Sequence, residues 1–212
     1  MTHLDIDAIR KTYHMIARQL PEKIRIEHWM QFSDPSSSEE GNFSSESCCT
    51  AACIAGWAAI ALHEEHPAFS SLPWRRRPDL YKVDFRILSK QAVALSALAF
   101  RLSVNETAQL FFMRISKSDC ARALSRFGVT NVKGYDVHQY HPLVWFDLMP
   151  PVWRKQAALH VLDVLMRRQL VNWPLAMELA SIDCGWSLVY SSVKRNQQND
   201  QEQLDNNPEK PN

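Results

Sequence analysis

The sequence predicts a mainly α-helical fold: one compact multi-helix domain with long loops over residues 1–193, and a disordered polar tail over 194–212. Three observations predict it. Apolar residues recur at three- and four-residue steps in successive segments, enough for six to eight helices. Only 5 of 212 residues are glycine, against a usual share of about 7%; no two stand as GxG and none frames GxxxxGK, so dinucleotide and phosphate loops are excluded. The length and the 46% apolar content suit a single core.

The elements follow in order. Asp5 to Gln19 carries Ile6, Ile9, Tyr13, Ile16 and Leu20 on one helical face, and Pro21 ends it. Ile24, Ile26 and Trp29 lie in a short extended or irregular piece, and residues 32–47, rich in Ser and Glu, form a polar loop. Cys49 to Leu62 is expected to be the central helix, with Ser47 or Thr50 as its cap. Its small residues, Ala51, Ala52, Ala55, Gly56, Ala58, Ala59 and Ala61, let another backbone come close. Residues 67–86 form a second loop with Pro67, Pro73 and Pro78, and Ser89 to Phe100 a buried helix. Ser103-Val104-Asn105-Glu106 is a capping box opening a short helix through Phe111. Asp119 to Phe127 is a helix closed near Gly128, and 130–145 is irregular with one short strand. Pro150-Pro151 open a long helix from Val152 to Leu170, and Pro174 opens a last one to Ile182. Most of the seven tryptophans, at 29, 57, 74, 145, 153, 173 and 186, are expected to anchor the core, Trp57 among them, with Trp74 the best candidate for an exposed contact residue.

Charge and composition narrow the function classes. The net charge is +1, and Arg75-Arg76-Arg77 is the one basic run, so nucleic acid is not the expected partner. The first residues show neither a basic nor an apolar leader region, which predicts a cytoplasmic protein. The longest apolar stretch, residues 48–62, would span about 22 Å as a helix, short of the ~30 Å of a bilayer core, so no membrane segment is expected. The five cysteines, Cys48, Cys49, Cys53, Cys120 and Cys184, are odd in number and read as reduced thiols.

The run Cys48-Cys49-Thr50-Ala51-Ala52-Cys53-Ile54-Ala55-Gly56-Trp57-Ala58 resembles a segment of a family of small phage and bacterial proteins that reads Cys-Gly-Thr, two residues, Cys, Ile or Ala, Ala or Leu, Gly, Trp or His, Ala. Leu20-Pro21 with Trp29, Ala97 to Phe111 and Ala157 to Trp173 resemble further family segments in the same order, so the likeness covers roughly residues 20–173. Cys49 departs from the pattern, which has glycine there. The resemblance implies a shared fold and a phage or mobile-element setting, and it supplies no catalytic residues and no cofactor.

Three groups of residues are candidate sites. Cys48 or Cys49, placed at a helix start, would have its thiol activated by free amides and the helix dipole; His138, His141 or His160 would be the base, oriented by Asp136 or Asp147. The competing reading is that the cysteines pack a tight helix as small apolar residues. A zinc site from Cys49, Cys53, His138 and His141 is geometrically conceivable, but its spacing matches no common module, and no metal is assigned. His63-Glu64-Glu65-His66 lacks HExxH spacing and reads as a polar helix end. Trp74, Arg75, Arg76 and Arg77 form a candidate contact surface. The expected function is an accessory factor of a phage or mobile element that binds another protein and uses no cofactor; the alternative is a cysteine-dependent hydrolase or transferase using Cys48 or Cys49.

Overall fold

A computed structural model describes residues 3–24, 31–32, 50–51, 53–62 and 85–189. Among these the fold is mainly α, as predicted: eight α-helices and two short antiparallel pairs of strands. No helix among the described residues is long and apolar enough to cross a membrane. The tail expected over 194–212, the loops at 33–47 and 67–84, and Trp29 and Trp74 lie outside the described residues.

Helix α1 spans Ile6–Arg18, and the Asp5 side chain caps it by accepting from the Ala8 amide at 3.0 Å. Ile9 and Ile16 enter the core as expected, but the buried seam runs through Ala8 and Thr12 rather than Tyr13 and Leu20. Leu20 is 63% exposed because the helix ends at Arg18 and the chain turns extended, so Leu20 leaves the helical register. Thr12 is buried with its hydroxyl satisfied, donating to the Ala8 carbonyl at 3.0 Å within the helix.

Strand β1, Gln31–Phe32, pairs antiparallel with β2, Thr50–Ala51, Phe32 facing Thr50. The expected helix start at Cys49 is therefore corrected: α2 is Ile54–Leu62. A short apolar run does not by itself discriminate strand from helix, and here the backbone of Thr50 and Ala51 is taken up by the ladder. Cys53, not Ser47 or Thr50, precedes the helix, and its carbonyl accepts the first helical bond from the Trp57 amide. From Ile54 to Ala59 every side of α2 is buried, as expected of a central helix. It packs against α1 and against α3, Phe85–Phe100. The buried Ser96 of α3 donates to the Ala55 carbonyl at 3.1 Å, a close approach that the small side chains of α2 permit.

Helix α4, Val104–Phe112, opens with the predicted capping box, both the Glu106 amide to Ser103 Oγ and the Ser103 amide to Glu106 Oε2 being made. Helix α5, Lys117–Ser125, is capped by Ser116, and the chain turns away at Gly128, where φ is +77°. The stretch expected to be irregular holds a hairpin instead: β3, Asn131–Val132, and β4, Tyr135–Asp136, are joined by Lys133 and Gly134, both at positive φ. Helix α6 is the single turn Pro142–Trp145.

Helix α7, Pro151–Arg168, is the longest, and its buried face holds Trp153, Ala157, Ala158, Val161, Leu162 and Leu165. Four residues link it to α8, Trp173–Asp183, whose first turn is capped by Asn172. The two pack as an αα-hairpin, with the Trp153 indole N–H donating to Ser181 Oγ. Helix α1 lies against α7, and α5 against α8. Trp57, Trp145, Trp153 and Trp173 are fully buried, as expected of core tryptophans, while Trp186 is only partly buried and stacks on Trp153 at the edge of the core.

Candidate functional site

Of the predicted nucleophiles, Cys48 and Cys49 lie outside the described residues, as do Trp74, Arg75, Arg76, Arg77, His63 and His66. The structure moves the helix start to Cys53, so the amides and dipole invoked for Cys48 or Cys49 act on that thiol instead. Burial pushes the Cys53 thiol up; the amides of Ala55 and Gly56 act against this and only partly offset it. Burial dominates because the thiolate would sit in a core of Ala55, Ala58 and their neighbours. The buried Cys120 thiol is pushed up to about 12, and that of Cys184 is raised by partial burial with the Asp183 charge beside it. The thiols of Cys53 and Cys120 sit in the core as small apolar side chains, while Cys184 is only partly buried.

The predicted bases are held in separate places. His138 Nε2 lies 2.9 Å from Ser125 Oγ, and Asp136 accepts from the His138 backbone N–H at 2.7 Å, so the carboxylate orients main chain rather than the imidazole. Together they fasten the β3–β4 hairpin to the end of α5. His141 caps α6, its Nδ1 accepting from the Leu143 amide. His160 pairs with Asp183 at 2.7 Å. Asp147 faces the buried Arg154, whose Nη1 donates to the Asp147 carbonyl at 2.6 Å. Among the described residues no three His, Cys, Asp or Glu side chains converge as metal ligands.

A feature that the sequence reading missed lies between α5 and α8. An open cleft of about 840 Å³ is lined from the α5 side by Asp119, Arg122, Ala123 and Arg126, and from the α8 side by Asn172, Pro174 and Glu178. Positions 119, 122, 123 and 126 fall on one helical stripe, as do 174 and 178 on the other helix. Arg126 bridges to Glu178 at 2.8 Å, spanning the cleft, while Arg122 stands 3.5 Å from Asp119 on its own helix. Leu188 forms a further wall. It is placed there by the Val189 amide, which donates to the Arg126 carbonyl at 2.9 Å. A Cβ at Gly128 would lie 2.9 Å from Val189 Cγ2, so the glycine is needed both for its positive φ and for that contact. Each charged residue taken alone reads as part of a solvated helix face. The stripe of 119, 122 and 126 was the available signal, but the partner stripe 50 residues on becomes its neighbour only through tertiary packing.

No family model, curated protein or solved structure matches this chain.

Proposed function

We propose that the chain is a non-enzymatic interaction protein, an accessory factor of a phage or other mobile element, that works by binding another protein through the α5–α8 cleft. The observation that carries the reading is the cleft itself: two helices present facing charged stripes around apolar surface from Ala123, Pro174 and Leu188, with the Arg122 and Arg126 side chains 75% and 49% exposed. Arginine beside apolar surface is typical of residues that dominate protein interfaces. The phage or mobile-element setting rests on the resemblance carried by residues 48–58. The nucleophiles of the cysteine-enzyme alternative, Cys48 and Cys49, lie outside the described residues, and His138 and His141 are bonded in separate places.

The test is a photo-crosslinking amino acid at position 188, with position 10 on exposed α1 as the control, irradiated in a lysate of the natural host. A discrete protein adduct at 188, absent at 10 and competed away by excess unmodified protein, is expected. Equal labelling at both positions, or none at 188, overturns the reading.

A further inference from the structure

We propose that residues 186–189 form a latched strap: seating Val189 on Gly128 assembles one wall of the α5–α8 cleft, and releasing that contact withdraws the wall while the helices stay folded. The latch does not depend on what the cleft binds; its control over a partner rests on the protein-binding reading above.

The strap has two anchors of different kinds. At its near end α8 closes in a Schellman turn. The Gly185 amide donates to the Ile182 carbonyl, the Trp186 amide donates to the Ser181 carbonyl, and Gly185 takes φ +75°. The Trp186 ring stacks on the fully buried Trp153 with centroids 6.2 Å apart, so this end is tied to the core. At the far end the Val189 amide donates to the Arg126 carbonyl at 2.9 Å, one residue beyond α5. Val189 Cγ2 occupies the space that a side chain at Gly128 would need. This end is solvated, with Val189 46% exposed. Between the anchors, neither Ser187 nor Leu188 is hydrogen bonded among the described residues. Backbone that is fastened at an exposed tip and unbonded before it opens at lower cost than the helices beside it. Yet this stretch carries Leu188, the one wall of the cleft that neither helix contributes.

The latch is sensitive to a single atom. A Cβ at 128 would stand 2.9 Å from Val189 Cγ2, and valine, branched at Cβ and stiff at χ1, has few rotamers in which to avoid it. Arg126 joins the latch to the cleft: its carbonyl holds the strap while its guanidinium reaches Glu178 across the opening.

The test is amide hydrogen exchange followed by NMR on the full 15N-labelled chain, in the parent, in Gly128→Ala and in the double variant Gly128→Ala/Val189→Ala. In the parent the Val189 amide is expected to be protected, yet to exchange about tenfold or more faster than the Ala180 and Cys184 amides of α8. Gly128→Ala should lower the protection of Val189 by about fivefold or more, with Cys184 and Trp186 unchanged within about twofold. The double variant keeps the left-handed strain at 128 and lacks Cγ2, so it should recover most of the protection, which neither strain nor general loss of structure would produce. An unprotected Val189 in the parent, exchange at the α8 rate, undiminished protection in Gly128→Ala, parallel loss at Cys184 and Trp186, or no recovery in the double variant overturns the proposal. Control of the cleft is read with the photo-crosslinker at position 122, on α5 itself. Gly128→Ala should give about threefold less protein adduct than the parent, restored in the double variant. An undiminished adduct with the strap released removes that control and leaves the protein-binding reading standing. No adduct at 122 or 188 in the parent removes that reading and leaves the latch.

Discussion

At the scale of single residues, the thiols show how burial competes with local electrostatics. Cys53 has the helix-start amides that lower a thiol's pKa elsewhere, yet burial outweighs them, and Cys120 has no such help. The consequence is an alkaline liability. In the unfolded chain the Cys120 thiol ionises from about pH 9, while in the folded protein it holds its proton to about 12. Across that interval the folded state binds more protons, so stability is complete below about 9 and falls as pH rises toward 12, by at most ~4 kcal/mol from this group. Urea unfolding at about pH 8 and about pH 10.5 should show a loss in the parent protein that is clearly smaller in Cys120→Ala, the thiol of Cys53 acting in the same direction. An equal loss in both proteins would remove Cys120 as the cause.

At the scale of elements, local chemistry was legible wherever it acts over a few residues. The Ser103–Glu106 capping box, the Pro150-Pro151 helix start and the turn at Gly128 are short-range devices, and all three form. What was not legible depends on partners distant in sequence. The boundary of α2 moved from Cys49 to Ile54 because β1, some twenty residues upstream, claims the backbone of Thr50 and Ala51. The β3–β4 hairpin was a missed local signal: Lys133-Gly134 occupies a two-residue loop that wants positive φ twice, which Asn-Gly would have advertised more plainly. Gly128 mixes both kinds of information, since its φ is set by the helix end and its lack of a side chain by Val189. Gly128→Ala should therefore cost about 1–3 kcal/mol, more than ordinary αL strain alone, when measured by chemical denaturation. A cost no greater than that of Gly134→Ala, where φ is also positive but no atom lies within 4 Å, would show that the Val189 contact contributes nothing.

At the scale of the whole molecule, the fold is held by contacts that cross most of its length. Lys155 of α7 sends its ammonium to the carbonyls of Ala17 and Gln19, both at 2.7 Å, closing the carboxyl end of α1 from 136 or more residues away. Burial lowers its pKa from the ordinary lysine value, so the ammonium is held by these carbonyls against a desolvation cost. Lys155→Met keeps much of the aliphatic volume and removes the donors. Its expected cost is about 1–3 kcal/mol, with faster amide hydrogen exchange at the end of α1 and little change in α8. Uniform loss of protection over all helices would instead mark a global effect. The cleft belongs to this scale as well. Its charged stripes are visible in sequence, but α5 and α8 meet only because α8 folds back along α7, which no local pattern specifies.

The alanine-rich interior of α2 carries one more consequence. In most cores the damaging change is truncation, which leaves a void. At Ala55, Ala58 and Ala59 there is almost nothing to truncate, and neighbouring helices already sit against the backbone. The tolerance of these positions is thus inverted: exchange for glycine, at about 1 kcal/mol of helix propensity, is the mild direction, and every added heavy atom must push a helix aside. The centre of this protein is governed by a ceiling on side-chain volume rather than a floor.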